Sequence, residues 1–319
     1  MISFIIIGRN ESWRLEKCLA SIRQTATREL NIPYELIYVD SQSGDDSISL
    51  SKQYADKTFL ITGVYNAAIG RNIGAKEAKG EILLFMDGDM ELRKGVLSSL
   101  LTDKGQLVYP FISGVEYEYL YDKDWTLKGE RIRRKFVEGE DVYEPTSGGL
   151  FAIEKRLWDE VGGMDNRFFR SQDMDFGFRM SEKGIPLLRK GQLWVNHYTV
   201  FYAVRNNALN TMKYSALLLR KHFFNKSVQL AVLKNNYSSY LMMAFTLVLT
   251  LCIDYPVFLL AIVPYLLTIC YRTVMIRKRT SVKLSYIKTA INRITKDILF
   301  LYSFLFFYPR KPKISYREV

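Results

Sequence analysis

The sequence has few of the residues that build disulfide-bonded or redox proteins, with only three cysteines among 319 residues. Cys18, Cys252 and Cys270 have no spacing typical of a metal or redox motif, and two of them lie in apolar runs. This scarcity favours a reducing compartment. The apolar start, MISFIIIG, lacks the basic residues and the length of a signal peptide, so we interpret it as a first buried strand.

Both of the common glycine-rich nucleotide motifs are also missing. No Gly-x-Gly-x-x-Gly pattern follows the first strand, which counts against a dinucleotide-binding Rossmann domain. No Gly-x-x-x-x-Gly-Lys-Ser/Thr pattern occurs, so a P-loop is unsupported.

Acidic residues are scarce in one part of the chain only. Residues 206–319 hold 17 Lys and Arg against 3 Asp and Glu, whereas residues 1–205 hold 28 against 30. The net charge of +12 therefore belongs to the tail, which argues against a nucleic-acid-binding N-terminal domain. With 48% hydrophobic residues the chain is able to bury a full core, and we predict two regions, residues 1–205 and 206–319.

The stretch from Gly80 to Leu92, GEILLFMDGDMEL, is the most informative part of the sequence. Its apolar run, residues 82–86, is typical of a strand buried on both faces. Asp87, Gly88 and Asp89 follow at the carboxyl end of that strand, where open α/β sheets bind their ligands. Carboxylate oxygens suit Mg²⁺ or Mn²⁺ together with substrate phosphates. We therefore predict a metal site that holds a diphosphate, and a polar turn is the plainer alternative.

Strand and helix patterns alternate along the first 200 residues. We predict strands at residues 3–7, 34–39, 57–61, 82–86, 107–113, 150–153 and 187–196. This rhythm predicts a doubly wound α/β domain. Polar clusters follow three of the strands, and right-handed crossovers place these strand ends along one edge of the sheet.

Residues 114–146 do not show a regular pattern and are predicted to be irregular. The basic residues in this segment, Arg131, Arg133, Arg134 and Lys135, are interpreted as a solvated face.

The ordered set of motifs resembles the family 2 glycosyltransferases of the GT-A fold over roughly residues 1–200. Residues 5–11 resemble the family's first strand and Asn-Glu turn, and residues 39–45 resemble its nucleotide-binding segment. Residues 70–74 resemble its Ala-Arg-Asn-x-Gly helix, and residues 87–89 its metal-binding Asp-x-Asp. Residues 162–175 resemble the stretch with the catalytic base. The resemblance implies a GT-A type doubly wound mixed sheet.

The resemblance also implies roles for individual residues. Asp173 would be the catalytic base, and Asp89 and His197 would bind the metal. The nucleotide-binding residues would be Gly8, Asn10, Glu11, Asp40, Arg71, Asp87 and Gly88. The supporting or acceptor-side residues would be Gly148, Gly149, Gln172, Asp175 and Arg179. The sequence departs from the family at Gln172, where Glu is usual, and at Ile7-Gly8, where Pro-Thr is common.

The tail has a different character. Two apolar runs separated by a turn predict a membrane hairpin over residues 237–276, and the basic residues flanking it predict that both ends face the cytoplasm. Residues 281–308 place Ile287, Ile291, Ile294 and Ile298 at helical spacing, which predicts an amphipathic helix at the membrane surface. A soluble helical subdomain or a dimer interface is the alternative.

Taken together, the sequence predicts a metal-dependent, inverting glycosyltransferase on the cytoplasmic face of the cell membrane. The enzyme would move a sugar from a nucleotide diphosphate, with uridine preferred, to a lipid-linked saccharide or a polyprenyl phosphate. One alternative is a sugar-phosphate nucleotidyltransferase, although residues 8–11 make a poor glycine-rich loop. The other is a non-catalytic membrane scaffold with a nucleotide pocket, against which the presence of Asp40, Asp89 and Asp173 counts.

Overall fold

The computed structural model describes residues 1–122, 124–133, 139–200, 208–251, 255–279 and 285–319. The chain divides into two compact units. The first comprises Met1–Asn206 together with Arg310–Val319, and the second comprises Asn207–Pro309. Residues 310–319, which sequence analysis placed in the tail, therefore belong to the first unit.

The first unit is a mixed α/β structure. In chain order its elements are β1 (Ile2–Gly8), α1 (Ser12–Glu29), β2 (Tyr34–Asp40), α2 (Ser47–Tyr54), β3 (Lys57–Ile61), α3 (Ala67–Glu77), β4 (Ile82–Asp87), β5 (Met90–Leu92), α4 (Val96–Leu100), β6 (Phe111–Tyr121), β7 (Leu127–Ile132), β8 (Val142–Glu144), β9 (Phe151–Glu154), α5 (Lys155–Val161), α6 (Gln172–Glu182), β10 (Leu187–Val200) and β11 (Tyr316–Glu318).

All described strands join one sheet in the order β11-β3-β2-β1-β4-β9-β6-β10-β5, with β7 on β6 and β8 on β10. Strands β1 to β4 are parallel, whereas β9 runs antiparallel to both β4 and β6. The predicted mixed α/β sheet is therefore confirmed. Because β1 and β4 are neighbours, the residues that follow them emerge side by side at one edge.

The central strand β1 is buried on both faces. Phe4 and Ile6 pack on the side of α1, and Ile5 and Ile7 pack on the side of α3. On that second side, a Cβ at Gly74 would lie 2.2 Å from Ile5 Cγ2, so α3 approaches the sheet at a distance that only glycine permits. This close packing fixes the position of α3, which bears Arg71.

The segment predicted to be irregular contains regular structure. Strand β6 continues to Tyr121, and β7 pairs with it in a hairpin. The prediction was wrong because Glu116 and Glu118 are buried in this strand, at 4% and 0% exposure, where a sequence pattern leads one to expect apolar residues.

A strand near the end of the sequence was not predicted. β11 pairs antiparallel with the edge strand β3, and the ring of Tyr316 packs edge-on against Phe59. The Tyr316 hydroxyl donates to Glu77 Oε1 at 2.5 Å. This strand covers what would otherwise be an open sheet edge.

The second unit is helical. Its elements are α7 (Ala208–Lys221), α8 (Lys226–Leu251), α9 (Tyr255–Arg279) and α10 (Tyr286–Phe306). α8 is kinked at Asn236, whose φ and ψ are −131° and 30°. Among the described residues, no helix combines the length and the apolar character needed to cross a membrane. The predicted hairpin over residues 237–276 falls on α8 and α9, and residues 252–254 between them lie outside the described part of the chain.

The predicted amphipathic helix corresponds to α10, and residues 281–284 lie outside the described part of the chain. Its apolar and charged faces are reversed relative to those of an ordinary soluble helix. Ile287, Ile291 and Ile298 are more than half exposed, whereas Arg293 is 7% exposed and Asp297 is fully buried. The unit therefore presents apolar side chains to its surroundings along this helix.

Candidate active site

An ion pair lies where β4 ends. Arg71 Nη2 donates to Asp87 Oδ1 at 2.6 Å, and the arginine side chain is 2% exposed. Burial raises the pKa of Asp87, as does the neighbouring Asp89 carboxylate, while Arg71 opposes both effects. Nε and Nη1 of Arg71 are buried without a hydrogen-bond partner among the described atoms. A buried guanidinium with unused donors is suited to bind an anion.

A glycine makes room for this pair. A Cβ at Gly149 would lie 2.7 Å from Asp87 Oδ2 and 3.0 Å from Arg71 Nη2. The preceding Gly148 has a φ of 82°, a left-handed conformation that favours glycine. Both glycines, predicted as supporting residues, thus bring the backbone of residues 148–149 against the Asp87–Arg71 pair.

Two residues beyond Asp87, a second contact joins β4 to β10. His197 Nε2 lies 3.3 Å from Asp89 Oδ1, and the histidine is 4% exposed. The two atoms are close enough for an ion pair, but their geometry is not that of a hydrogen bond. Asp89 Oδ1 is therefore left without a donor among the described atoms. The two predicted metal ligands are therefore neighbours, and between them they offer an unused oxygen and a ring nitrogen.

The other ring nitrogen of His197 faces carboxylates on β6. Nδ1 lies 3.0 Å from Glu116 Oε2 and 3.9 Å from Glu118 Oε1. Burial opposes a charge on the ring, but the Asp89 and Glu116 carboxylates outweigh it and raise the pKa of His197. Although burial would raise the pKa of Glu116, hydrogen bonding to His197 and the charge of Arg133 lower it far below its usual range. Glu116 is thus an ionised acceptor that directs Nε2 toward Asp89.

Glu116, Glu118 and His197 also form a group of possible metal ligands in their own right. One ligand atom from each lies within 4.8 Å of the others. However, the carboxylates already bind arginines, since Arg133 Nη1 donates to Glu116 at 2.7 Å and Arg131 Nε to Glu118 at 2.6 Å. We therefore regard Asp89 and the Nε2 side of His197 as the better cation site.

Arg131 and Arg133 have a role that the sequence interpretation of a solvated face did not include. Their side chains are 51% and 29% exposed, and each also pairs with a buried glutamate across the β6–β7 hairpin. Arg134 and Lys135 lie outside the described residues. The only signal in the sequence was the alternation of acidic residues with tyrosines in residues 116–119, opposite an alternation of basic ones.

The predicted nucleotide-binding residues after β1 and β2 form one connected pair of loops. Asn10 adopts a φ of 57°, its Oδ1 accepts from Gly44 N at 2.8 Å, and its own N–H donates to Ser43 Oγ at 2.9 Å. The backbone N–H of Glu11 donates to Ser47 Oγ at 3.0 Å. A Cβ at Gly8 would lie 2.7 Å from the Tyr38 hydroxyl oxygen.

Asp40 lies beneath these loops and is fully buried. Its carboxylate accepts from the Ser43 backbone at 2.7 Å, from the Ser43 hydroxyl at 2.6 Å and from the Tyr38 hydroxyl at 3.1 Å. Asp40 thus stabilises the turn after β2. Gly88 packs against α1, since a Cβ there would lie 3.3 Å from Leu15 Cδ1.

The proposed base lies on the first turn of α6. Asp173 is half-buried, and its carbonyl accepts from Ser147 Oγ at 3.2 Å. Ser147 is two residues from Gly149, so one short segment contacts both α6 and the Asp87–Arg71 pair. The neighbouring Gln172 has a buried Oε1 with no partner among the described atoms.

Asp175 and Arg179 brace α6. Arg179 Nε donates to the buried Asp175 Oδ2 at 3.0 Å, and its two terminal nitrogens donate to the Val161 and Gly163 carbonyls at 2.8 Å each. These bonds fasten the helix to the glycine turn before it. Asp175 and Arg179 therefore hold α6 in place.

Arg189 was missed by sequence reasoning. It is 5% exposed and donates to Glu144 Oε2 at 2.7 Å, Gly114 O at 2.6 Å and Ser147 O at 3.0 Å. These contacts order the chain immediately before Gly148. Nothing in its sequence surroundings distinguishes Arg189 from an exposed strand residue.

Comparisons with known proteins show what this chain is similar to. A crystal structure of GalNAc-T7 with UDP, GalNAc and Mn²⁺ superposes with a TM-score of 0.51 at 20% identity, over 62% of this chain and 44% of that one. The fold is therefore that of a glycosyltransferase. Residues 3–152 match the model of glycosyl transferase family 2.

Two relatives illustrate the range of the family. Polypeptide N-acetylgalactosaminyltransferase 13 of Rattus norvegicus is 26% identical over 220 residues, which are 57% of this chain but only 38% of that protein. GalNAc(5)-diNAcBac-PP-undecaprenol beta-1,3-glucosyltransferase of Campylobacter jejuni is 26% identical over 251 residues, 75% of this chain and 71% of that protein.

Proposed function

We propose that the chain is a metal-dependent, inverting glycosyltransferase that uses a UDP-sugar or a related nucleotide diphosphate sugar. The observation on which this rests is a pair of unsatisfied groups at the end of β4. Arg71 has two buried nitrogens whose N–H groups lack acceptors among the described atoms, and Asp89 has a buried oxygen without a donor among them. An anion beside Arg71 and a cation beside Asp89 would satisfy both, and a metal-bound diphosphate is one ligand that supplies the two together.

The donor set fits Mg²⁺ or Mn²⁺. Asp89 Oδ1 and His197 Nε2 would hold the ion, and the addition of an imidazole to the oxygen donors favours Mn²⁺. Bound there, the ion would neutralise charge on the departing diphosphate. Arg71 would bind the same diphosphate through its free N–H groups, while its pairing with Asp87 keeps the guanidinium oriented.

Asp173 would act as the base. Its carboxylate would take the proton from an acceptor hydroxyl, whose oxygen forms a bond to the anomeric carbon. The bond from that carbon to the diphosphate breaks, and its electron pair leaves with the diphosphate. Attack from the side opposite to the leaving group inverts the configuration. A positioned carboxylate typically contributes about 10²–10⁴-fold to the rate.

The proposed acceptor is a lipid-linked saccharide or a polyprenyl phosphate, used at the cytoplasmic face of the cell membrane. The Campylobacter jejuni relative is named for an undecaprenol-linked substrate and aligns with most of this chain. The exposed isoleucines of α10 and the basic excess of residues 206–319 support association with an anionic lipid surface.

Calorimetric titration of the purified full chain with UDP tests the proposal. We expect binding with Mn²⁺ that is abolished by EDTA, and lost in Asp89→Asn but retained in the control Asp103→Asn, an exposed residue of a turn. Turnover of a UDP-sugar should follow the same pattern. Metal-independent binding would contradict the assigned site, and metal-dependent binding without any transfer would favour the scaffold.

A further inference from the structure

The helical unit contains a group of positive charges that its own carboxylates do not balance. Residues 207–309 include 13 Lys and Arg but only two Asp, and one of these, Asp254, lies outside the described residues. The other, Asp297, is fully buried and pairs with Arg293, four residues earlier on α10. This pair consumes the one described negative charge of the unit.

A second guanidinium adjoins that pair. Arg272 Nη1 and Arg293 Nε both donate to Ser238 Oγ, at 3.1 and 2.9 Å. Ser238 in turn donates to Asp297 Oδ1 at 3.0 Å, so the hydroxyl is fully used. The remaining contacts of Arg272 are neutral, namely the Asn235 carbonyl at 3.0 Å and the Tyr237 ring, whose centroid is 4.2 Å from Cζ.

Lys296 adds a third cation. It is half-buried and has no hydrogen bond or ion pair with any described residue. Burial and the charges of Arg293 and Arg272 together lower the pKa of Lys296. Three cations thus surround one carboxylate, an arrangement that is unfavourable unless a further anion joins it.

A cleft opens beside Arg272. It has a volume of about 500 Å³ and is lined by Lys234, Asn235, Tyr237, Tyr271, Arg272, Met275 and Ile276. Its polar end therefore has two cations, and its other walls are aromatic and apolar. Leu267, Tyr271 and Val274 continue from it along one side of α9, and they are 66%, 59% and 40% exposed. Cations that adjoin an apolar stripe match a phosphate attached to a long apolar chain.

We infer that this cleft binds the phosphate group of a lipid phosphate or diphosphate, with Arg272 and Lys234, the two cations that line it, facing the anion and the α9 stripe against the lipid chain. The inference names a binding site for the acceptor class and rests on the proposed function only in treating that lipid as the acceptor. Arg272 and Lys234 supply charge to the phosphate, and Arg293 remains committed to Asp297.

The test is flotation of the purified full chain with phosphatidylcholine vesicles that contain polyprenyl monophosphate, or the corresponding polyprenol without phosphate. We expect about tenfold tighter binding to the phosphate-bearing vesicles, as for a charge-assisted contact. Arg272→Gln and Lys234→Gln should each remove most of this preference. Lys288→Gln, the same change at an exposed position of α10, should keep it.

Two further comparisons decide the outcome. Lys234 is exposed and has no hydrogen bond or ion pair with the described residues, so Lys234→Gln stays informative if Arg272→Gln fails to fold. Equal preference in Lys234→Gln and Lys288→Gln would overturn the site, and so would displacement by inorganic phosphate at the same concentration as the lipid phosphate. UDP binding with Mn²⁺, measured on the same variants, reports the proposed function separately, because the changes at Arg272 and Lys234 should leave it unchanged.

Discussion

His197 of β10 and Asp89, in the turn between β4 and β5, approach each other to 3.3 Å although they are distant in the sequence. The contact forms because β10 pairs antiparallel with β5 and places His197 opposite Met90. The carboxyl end of β4 thereby acquires a ring nitrogen next to the second aspartate of the Asp-x-Asp sequence. Four predictions follow from this arrangement and from the fold around it.

Glu116 should control the affinity of the metal site without binding the ion itself. Glu116→Gln removes the charge that holds the Nδ1 proton of His197, so we expect a 10–100-fold loss of Mn²⁺ affinity, on the order seen for residues behind a metal ligand. Electron paramagnetic resonance titration of free Mn²⁺ measures this directly. Glu130→Gln, at an exposed position of the same hairpin, is the control. Unchanged Mn²⁺ affinity in Glu116→Gln would show that Glu116 does not orient His197.

The methyl group of Gly149→Ala should disrupt the anion site. It would meet Asp87 Oδ2 at 2.7 Å and Arg71 Nη2 at 3.0 Å, so the ion pair has to shift. We expect about a tenfold loss of UDP affinity, equivalent to one charge-assisted contact. Gly129→Ala is a matched control, because no atom lies within 4 Å of its Cβ position. Calorimetric titration measures the UDP affinity of both variants. Equal UDP affinities would contradict a role for the Arg71–Asp87 pair.

Asp173→Asn distinguishes the two proposed acceptors. A sugar hydroxyl needs a base, so the rate should fall by about 10²–10⁴-fold with a lipid-linked saccharide. A phosphate monoester is largely ionised at neutral pH, since its second pKa is about 6, and its oxygen needs no base. With polyprenyl phosphate the variant should therefore keep most of its rate. UDP affinity is the control in both assays, and loss of that affinity would place Asp173 in nucleotide binding instead.

Tyr316 should contribute to the stability of the first unit. Tyr316→Ala removes the edge contact with Phe59 and the hydrogen bond to Glu77, and we expect a loss of about 1–3 kcal/mol in the free energy of unfolding. Arg317→Ala, at an exposed position in the same strand, should change it by less than about 0.5 kcal/mol. Denaturant titration measures both. Similar values for the two variants would mean that β11 pairs through its backbone alone.

The sequence by itself determined the parallel strands at the centre of the sheet and the polar residues at the carboxyl ends of those strands. Runs such as residues 82–86 are apolar throughout because a strand covered on both faces meets no water, and this signal is local. Asn66 is likewise a local signal, and its side chain caps α3 by accepting from Ile69 N at 2.8 Å. Asp87, Asp89 and Asp173 could be predicted as site residues because their motifs are contiguous in the chain.

Only the tertiary structure decided how the polar residues pair. Glu116 and Glu118 are buried because arginines from the next strand and His197 from β10 neutralise them, and no local pattern indicates such partners. In the same way, the reversed faces of α10 depend on Ser238 and Ser239 of α8, which accept Arg293 and donate to Asp297. Burial of a charge depends on the groups that surround it in space, and these come from distant parts of the chain.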